Sequence, residues 1–323
     1  VSRDRQDADG VGAYLAELRA VIEAALERTL GALRAPAPID EALRYALMGG
    51  GKRLRPCLTL ATADAVGHAV GLPHDHARAL ALPAACAVEM VHSYSLVHDD
   101  LPAMDDDAMR RGRPTTHVVY GDGLAILVGD GLLTEAFAVL ASSPSPAVQA
   151  GSPEPAPERR IEAIRRLAAA AGVAGMVGGQ AIDLAAAGRV TGRVSPALSA
   201  SDLEDMHRRK TGALIRAAVT TGAVVAGADG PLVEAADAYA RELGLAFQIV
   251  DDILDVEASD QALGKTAGKD AAAGKPTYPA FYGLDESKRM AAGCIERAKT
   301  ALASAGLGGR LADIASWSLA RRR

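Results

Sequence analysis

Two aspartate runs in this 323-residue chain have the residue types and spacing for metal chemistry: DDLPAMD from Asp99 to Asp105 and DDILD from Asp251 to Asp255. On a helix, Asp251 and Asp255 stack one turn apart on one face. Like charges so placed repel, unless a cation lies between them. The apolar run LGLAFQIV precedes them, so the acidic pair sits at the inner end of a buried helix. Hard carboxylate oxygens suit magnesium, which takes one or two of them and keeps its remaining positions for water and phosphate oxygens. In the first run Pro102 stops the helix, and the turn it forces returns Asp105 toward Asp99. A single acidic run is as readily a solvated helix end. Two facing clusters would clamp a polyphosphate.

Cationic motifs accompany both runs. Gly50-Gly51-Lys52-Arg53-Leu54-Arg55 is a glycine-freed turn with three positive charges, and its spacing is not that of a Walker loop. Arg110-Arg111-Gly112-Arg113 follows the first acidic run, and arginine suits bidentate phosphate contacts. Lys210-Thr211-Gly212 and Gly264-Lys265-Thr266 add donors. His92 lies two helical turns before Asp99 on about the same face, within reach of a phosphate lying there. Four basic motifs interleaved with two acidic ones point to a site for more than one diphosphate.

The elements that must position these groups are helical. The chain is 49% hydrophobic but only 3% aromatic, and much of the apolar content is alanine, the best helix former. An all-α fold follows, and the uniform composition argues for a single domain over residues 1–323. Leu15, Leu18, Ile22, Leu26 and Leu30 mark a first helix from about Val11. A second opens near Ile39 with Asp40 as its cap and runs to Met48. One long helix covers Ala77 to Asp100, and others cover Gly123–Leu140, Ile161–Ala171, Val173–Ala187, Ser201–Gly227 and Pro231–Val256. Ser142 to Arg160 is rich in proline and serine and reads as a mobile surface loop. A net charge of -5 argues against nucleic-acid binding. Cys57, Cys86 and Cys294 fit no metal spacing and read as reduced core thiols, which points to the cytoplasm. No signal peptide and no charge-free membrane span are expected.

In order, GGGKRLRP, HSYSLVHDDLPAMDDDAMRRGRPT, GGQAIDL, KTGALI, FQIVDDILDV and LGKTAGKD make the chain resemble the trans-isoprenyl diphosphate synthases, above all their bacterial farnesyl-length members. The resemblance implies a helical bundle whose antiparallel helices line a central cavity. It implies head-to-tail condensation of isopentenyl diphosphate with an allylic diphosphate, dimethylallyl or geranyl. It also implies a homodimer, and three magnesium ions per site with manganese as the alternative. Asp99, Asp105 and Asp251 would be metal ligands, with Asp100, Asp252 and Asp255 acting directly or through water. Arg110, Lys210 and Lys265 would grip the allylic diphosphate. Thr211 and Gln248 would lie near the developing cation. Lys52, Arg53, Arg55, His92 and Arg111 would hold isopentenyl diphosphate, and Lys275 joins the substrate-binding set.

Product length is the variable the resemblance leaves open. Tyr94 lies five residues before Asp99, with Ser95 next to it. A ring there would close the pocket at a fifteen-carbon product, and a small residue would allow geranylgeranyl length or more. A class I terpene cyclase would normally lack the second DDxxD and the GGGKRLRP motif, and a non-catalytic partner subunit would normally lose aspartates. The Pro-rich loop is longer than the resemblance suggests, and Arg321-Arg322-Arg323 reads as a solvated end.

Overall fold

A computed structural model describes residues 3–191, 198–261 and 277–320. It is 76% helical, in agreement with the all-α expectation. The helices fall into two compact units, one formed by Gly12–Ala168 with Ala217–Val233, the other by Val1–Val11, Ala169–Arg216 and Glu234–Arg323.

The first unit is organised by α4 (His74–Asp99), packed against α3 (Leu54–Val70) and α6 (Asp122–Ala141). Small side chains make this packing close: Ala81, Ala84, Ala85, Cys86, Ala87 and Val88 of α4 are all buried. Pro83 lies inside the helix without ending it. Helix α1 (Arg3–Ala32) starts earlier than its leucine stripe suggests; Leu18, Ile22, Leu26 and Leu30 are buried as expected. Helix α2 (Ala37–Leu47) is preceded by Pro36 at its N-cap, so Asp40 is not the cap and instead pairs with Arg44 one turn on, at 3.0 Å.

Two expectations for this unit need correction. The segment from Ser142 is pinned, not loose: the Arg28 guanidinium donates to the Ala147 carbonyl at 2.8 Å, Arg160 pairs with Glu154 at 2.8 Å, and Ser145 and Ala147 are buried. Helix α7 (Pro157–Ala171) then begins inside the expected loop. Second, a two-residue hairpin, β1 (Met109–Arg110) and β2 (Arg113–Pro114), interrupts the all-helical pattern, too short for alternation to reveal. Its turn residues, Arg111 at φ 53° and Gly112 at φ 75°, are both left-handed, as a tight hairpin turn demands.

The second unit contains α8 (Met176–Ala186), α9 (Ala200–His207), a π-helical turn Arg208–Gly212, most of α11 (Gly230–Gln261), and α12 (Tyr278–Tyr282), α13 (Leu284–Ser304) and α14 (Leu311–Ala320). The single helix expected from Ser201 to Gly227 is thus α9, the π turn and α10 (Ala213–Val225). A Ser199 capping box opens α9, with the Asp202 side chain and backbone as reciprocal partners.

Three stretches are long and apolar enough to cross a membrane by length and composition: His74–Asp99, Asp122–Ala141 and Pro157–Ala186. Each of the three carries charged residues such as Glu89, Asp130 and Asp183, so none is a charge-free span; alanine, valine and leucine give them their hydropathy. In His74–Asp99 the apolar window is 83% buried inside the protein, which accounts for its hydropathy.

Candidate active site

The first acidic run turns as Pro102 requires. The Asp105 amide donates to the Asp99 carbonyl at 2.8 Å, and the Asp107 amide donates to the Asp100 carbonyl at 3.2 Å. Asp99 and Asp105 therefore lie side by side, both half-buried. Asp100 is different. It is buried, and its carboxylate takes the Arg110 guanidinium side-on, with Nε at 2.8 Å from Oδ1 and Nη2 at 2.7 Å. Burial pushes the Asp100 carboxyl above its ordinary value, and Arg110 opposes that shift. Asp100 thus fixes the position of the Arg110 guanidinium.

The hairpin also reaches the glycine turn. Arg111 donates to the Gly50 carbonyl, and its guanidinium lies where a side chain on Gly51 would stand. Arg113 stacks over the Tyr45 ring at 4.2 Å, and the Tyr45 hydroxyl donates to the Pro114 carbonyl at 2.7 Å. Arg55 Nη1 lies 3.3 Å from His92 Nε2. Burial first, then the charges of Arg55, Arg111, Arg110 and Arg53, push the His92 imidazole well below its ordinary pKa, so it is neutral at pH 7. Lys52 is exposed beside this group. Arg53 departs from expectation. Its guanidinium is buried against Glu89 at 2.5 Å and the Leu47 carbonyl at 2.7 Å, where it holds the turn and not a substrate.

In the second unit, Gln248, Asp251 and Asp255 occupy one face of α11 at steps of three and four. Asp251 is half-buried and Asp255 exposed. Asp252 points elsewhere: its carboxylate accepts the Tyr278 amide at 2.9 Å. Lys210 Nζ pairs with Asp183 at 2.6 Å. Lys210 and Thr211 sit in the π turn, a geometry that often marks functional sites. Gly179 makes room for that turn, because a Cβ there would overlap the Lys210 backbone. Sequence reasoning quoted GGQAIDL without assigning its residues, and it missed Gly179, Gln180 and Asp183. Both polar atoms of the Gln180 amide are buried without a hydrogen-bond partner. Lys265, Lys275 and Arg321-Arg322-Arg323 lie outside the described residues.

Among the described residues no three His, Cys, Asp or Glu side chains converge into a closed metal cage. The half-buried Asp99 and Asp105 are hard oxygen donors, and magnesium takes one or two such carboxylates with phosphate oxygens and water completing its shell.

A carboxylate run at the end of α4 with the fixed guanidinium of Arg110 beside it, and a second carboxylate pair on one face of α11, are groups suited to metal ions and phosphorylated substrates. The polyprenyl synthetase family model matches residues 36–304. Farnesyl diphosphate synthase of Geobacillus stearothermophilus is 43% identical over 298 residues, 92% of each chain. Geranylgeranyl pyrophosphate synthase 3 of Arabidopsis thaliana is 45% identical over 279 residues, 86% of this chain and 72% of that protein. The crystal structure of an FPP/GFPP synthase from Zymomonas mobilis superposes with a TM-score of 0.76 at 33% identity, covering 97% of this chain and 98% of that one. The chain belongs to the polyprenyl synthetase family and is a prenyltransferase of isoprenoid biosynthesis.

Proposed function

We propose that the protein condenses isopentenyl diphosphate head to tail with dimethylallyl and then geranyl diphosphate, yielding farnesyl diphosphate and releasing diphosphate. The observation that carries this product length is Tyr94. Its ring is buried on α4, near enough to Asp99 for the aspartate's charge to raise the phenol pKa further after burial has raised it. Similarity to the bacterial farnesyl diphosphate synthase supports the same reading. The comparable identity of the plant geranylgeranyl enzyme keeps twenty-carbon synthesis as the second reading.

In this reading Asp99, Asp105, Asp251 and Asp255 would hold magnesium, three ions per site, while Asp100 and Asp252 position their neighbours. Bound there, magnesium neutralises the leaving diphosphate. Arg110 and Lys210, with Lys265, grip that diphosphate as its charge develops. The Thr211 hydroxyl and the Gln248 amide oxygen face the allylic cation. Lys52, Arg55, Arg111 and neutral His92 hold isopentenyl diphosphate. The buried Gln180 amide is a further polar group available to substrate. The proposed reaction needs both acidic clusters, so residues 1–323 are read as a single domain.

The quaternary reading is a homodimer. Val118 and Val119 of α5 (Thr116–Tyr120) and Ile126 and Leu127 of α6 are exposed, and a second copy would cover them. The location is cytoplasmic, in keeping with three free, buried cysteines. The test of function is incubation with magnesium, isopentenyl diphosphate and each allylic diphosphate in turn, with product length read by chromatography. A fifteen-carbon product is expected. A twenty-carbon product would transfer the assignment to the second reading, and no condensation with any allylic partner would refute both.

A further inference from the structure

Tyr94 does not stand alone on α4. One turn later, His98 sets its ring edge-on to the tyrosine, with centroids 5.7 Å apart and planes at 86°. His98 is in turn tied to the neighbouring helix: its Nε2 lies 3.0 Å from the Ile126 carbonyl of α6 and 3.9 Å from the Asp130 carboxylate. A carbonyl only accepts, so the Nε2 nitrogen carries the proton and donates. The imidazole occupies the space over Gly129, where a Cβ would overlap three atoms of the ring. Helices α4 and α6 thus approach closely enough at Gly129 for a side chain of one to bond the backbone of the other.

This arrangement restricts the tyrosine. A helical aromatic side chain has two accessible χ1 wells, and the edge-on contact with an anchored imidazole favours one. The anchor is the α6 backbone, which does not swing as a side-chain partner would. None of His98, Gly129 or the Ile126 carbonyl is assigned above to substrate or metal.

We propose that His98 and Gly129 are positioning residues for product length: they hold the Tyr94 ring in the orientation that closes the elongation pocket. The inference rests on the reading that Tyr94 closes that pocket. Without the imidazole the phenol samples its second well, the pocket opens intermittently, and farnesyl diphosphate is elongated once more before release.

The experiment compares the wild type with Tyr94→Ala, His98→Ala, Gly129→Ala and the double variant Tyr94→Ala/His98→Ala. The readouts are product-length distribution with isopentenyl and geranyl diphosphates, and kcat/KM for the first condensation with dimethylallyl diphosphate. His98→Ala is expected to raise the twenty-carbon fraction at least about fivefold, with first-condensation kcat/KM within about threefold of wild type, since specificity and turnover separate when only pocket closure changes. Gly129→Ala displaces the imidazole without altering either ring and shifts the products the same way. The double variant matches Tyr94→Ala alone, because His98 acts only through the tyrosine. A longer product from Tyr94→Ala, with wild-type distributions from both His98→Ala and Gly129→Ala, would overturn the inference and leave the Tyr94 reading standing. A double variant with products longer than those of Tyr94→Ala would also overturn it. An unchanged distribution in Tyr94→Ala would remove the reading itself.

Discussion

Arg53 and Glu89 form an ion pair almost wholly out of water, with Nη1 and Oε1 2.5 Å apart and side chains 1% and 2% exposed. Arg53 adopts φ 48°, an uncommon conformation for a residue with a side chain, and its guanidinium also binds the Leu47 carbonyl near the end of α2. The pair therefore joins the glycine turn to α4, with Lys52 and Arg55 on either side of it. Removing one partner leaves the other charged and buried, which costs about 3–5 kcal/mol. Glu89→Gln should lower the unfolding free energy in urea by that order and raise KM for isopentenyl diphosphate. Arg53→Met/Glu89→Leu should recover much of the stability but not the KM. If Glu89→Gln changes neither quantity, the pair does not hold the turn.

The Asp100–Arg110 pair makes a different prediction for two adjacent aspartates. Asp100 spends its oxygens on Arg110, whereas Asp99 lies beside Asp105 at the turned end of the run. Asp99→Asn should raise the magnesium concentration needed for half-maximal rate. Asp100→Asn should leave that concentration nearly unchanged and lower kcat by about 100-fold, the low end of the cost of losing one charge-stabilising donor. Arg110→Lys, which cannot make the side-on contact, should resemble Asp100→Asn. Equal metal dependence of the two asparagine variants would return Asp100 to the set of direct ligands.

The features legible in the sequence were those set by local chemistry. The return of Asp105 to Asp99 follows from Pro102, and α4 follows from its alanine-rich, largely apolar stretch. Illegible features depend on distant partners or on very few residues. Arg53 looks like its neighbours Lys52 and Arg55, and only Glu89, packed from α4, takes it out of the cationic set. Lys210 and Thr211 read as ordinary helix because a five-residue π turn between two α-helical segments is too short to show in the apolar pattern. The hairpin that carries Arg110 and Arg113 has two residues per strand, below what alternation can signal. The contact of Asp252 with the Tyr278 amide joins residues 26 apart, which local spacing cannot signal.

Burial makes His207 a source of acid sensitivity. Desolvation, which outweighs the opposing charge of Asp183, lowers its pKa from 6.5 to about 4. Below pH 6.5 the unfolded chain takes up a proton here and the folded protein does not, so stability falls as pH drops from 6.5 toward 4. The full effect is about 3 kcal/mol at the conversion of 1.36 kcal/mol per pKa unit. His207→Leu should flatten the stability profile across this window relative to wild type, as read by urea unfolding at a series of pH values. Parallel profiles would mean that the imidazole is solvated in the folded state.

The apolar patch on α5 and α6 predicts the assembly. Leu127 is 57% exposed, and Ile126 and Val119 are each 45% exposed. Leu127→Glu would place a charge in any interface that covers them, and should convert a dimer to a monomer in light scattering while leaving the far-ultraviolet helical signal intact. A wild-type protein that is monomeric at micromolar concentration would place this face elsewhere than at a homodimer interface.

Gly179 tests whether the π turn is part of the reaction machinery. Its missing side chain admits the backbone of Lys210, and Asp183, one helical turn along α8, holds the Lys210 ammonium. The two residues thus fix the same lysine from its two ends. Gly179→Ala must push backbone and not a flexible side-chain tip, so the turn shifts. A displacement of about 1 Å at a positioned charge costs roughly 100-fold in rate. Asp183→Asn leaves the turn in place and frees only the ammonium, and should have the smaller effect on kcat. Neither should alter KM for isopentenyl diphosphate by more than about threefold, since uniform substrate binding is untouched. A rise in that KM with kcat preserved would detach Lys210 from the allylic diphosphate and assign it to the other substrate.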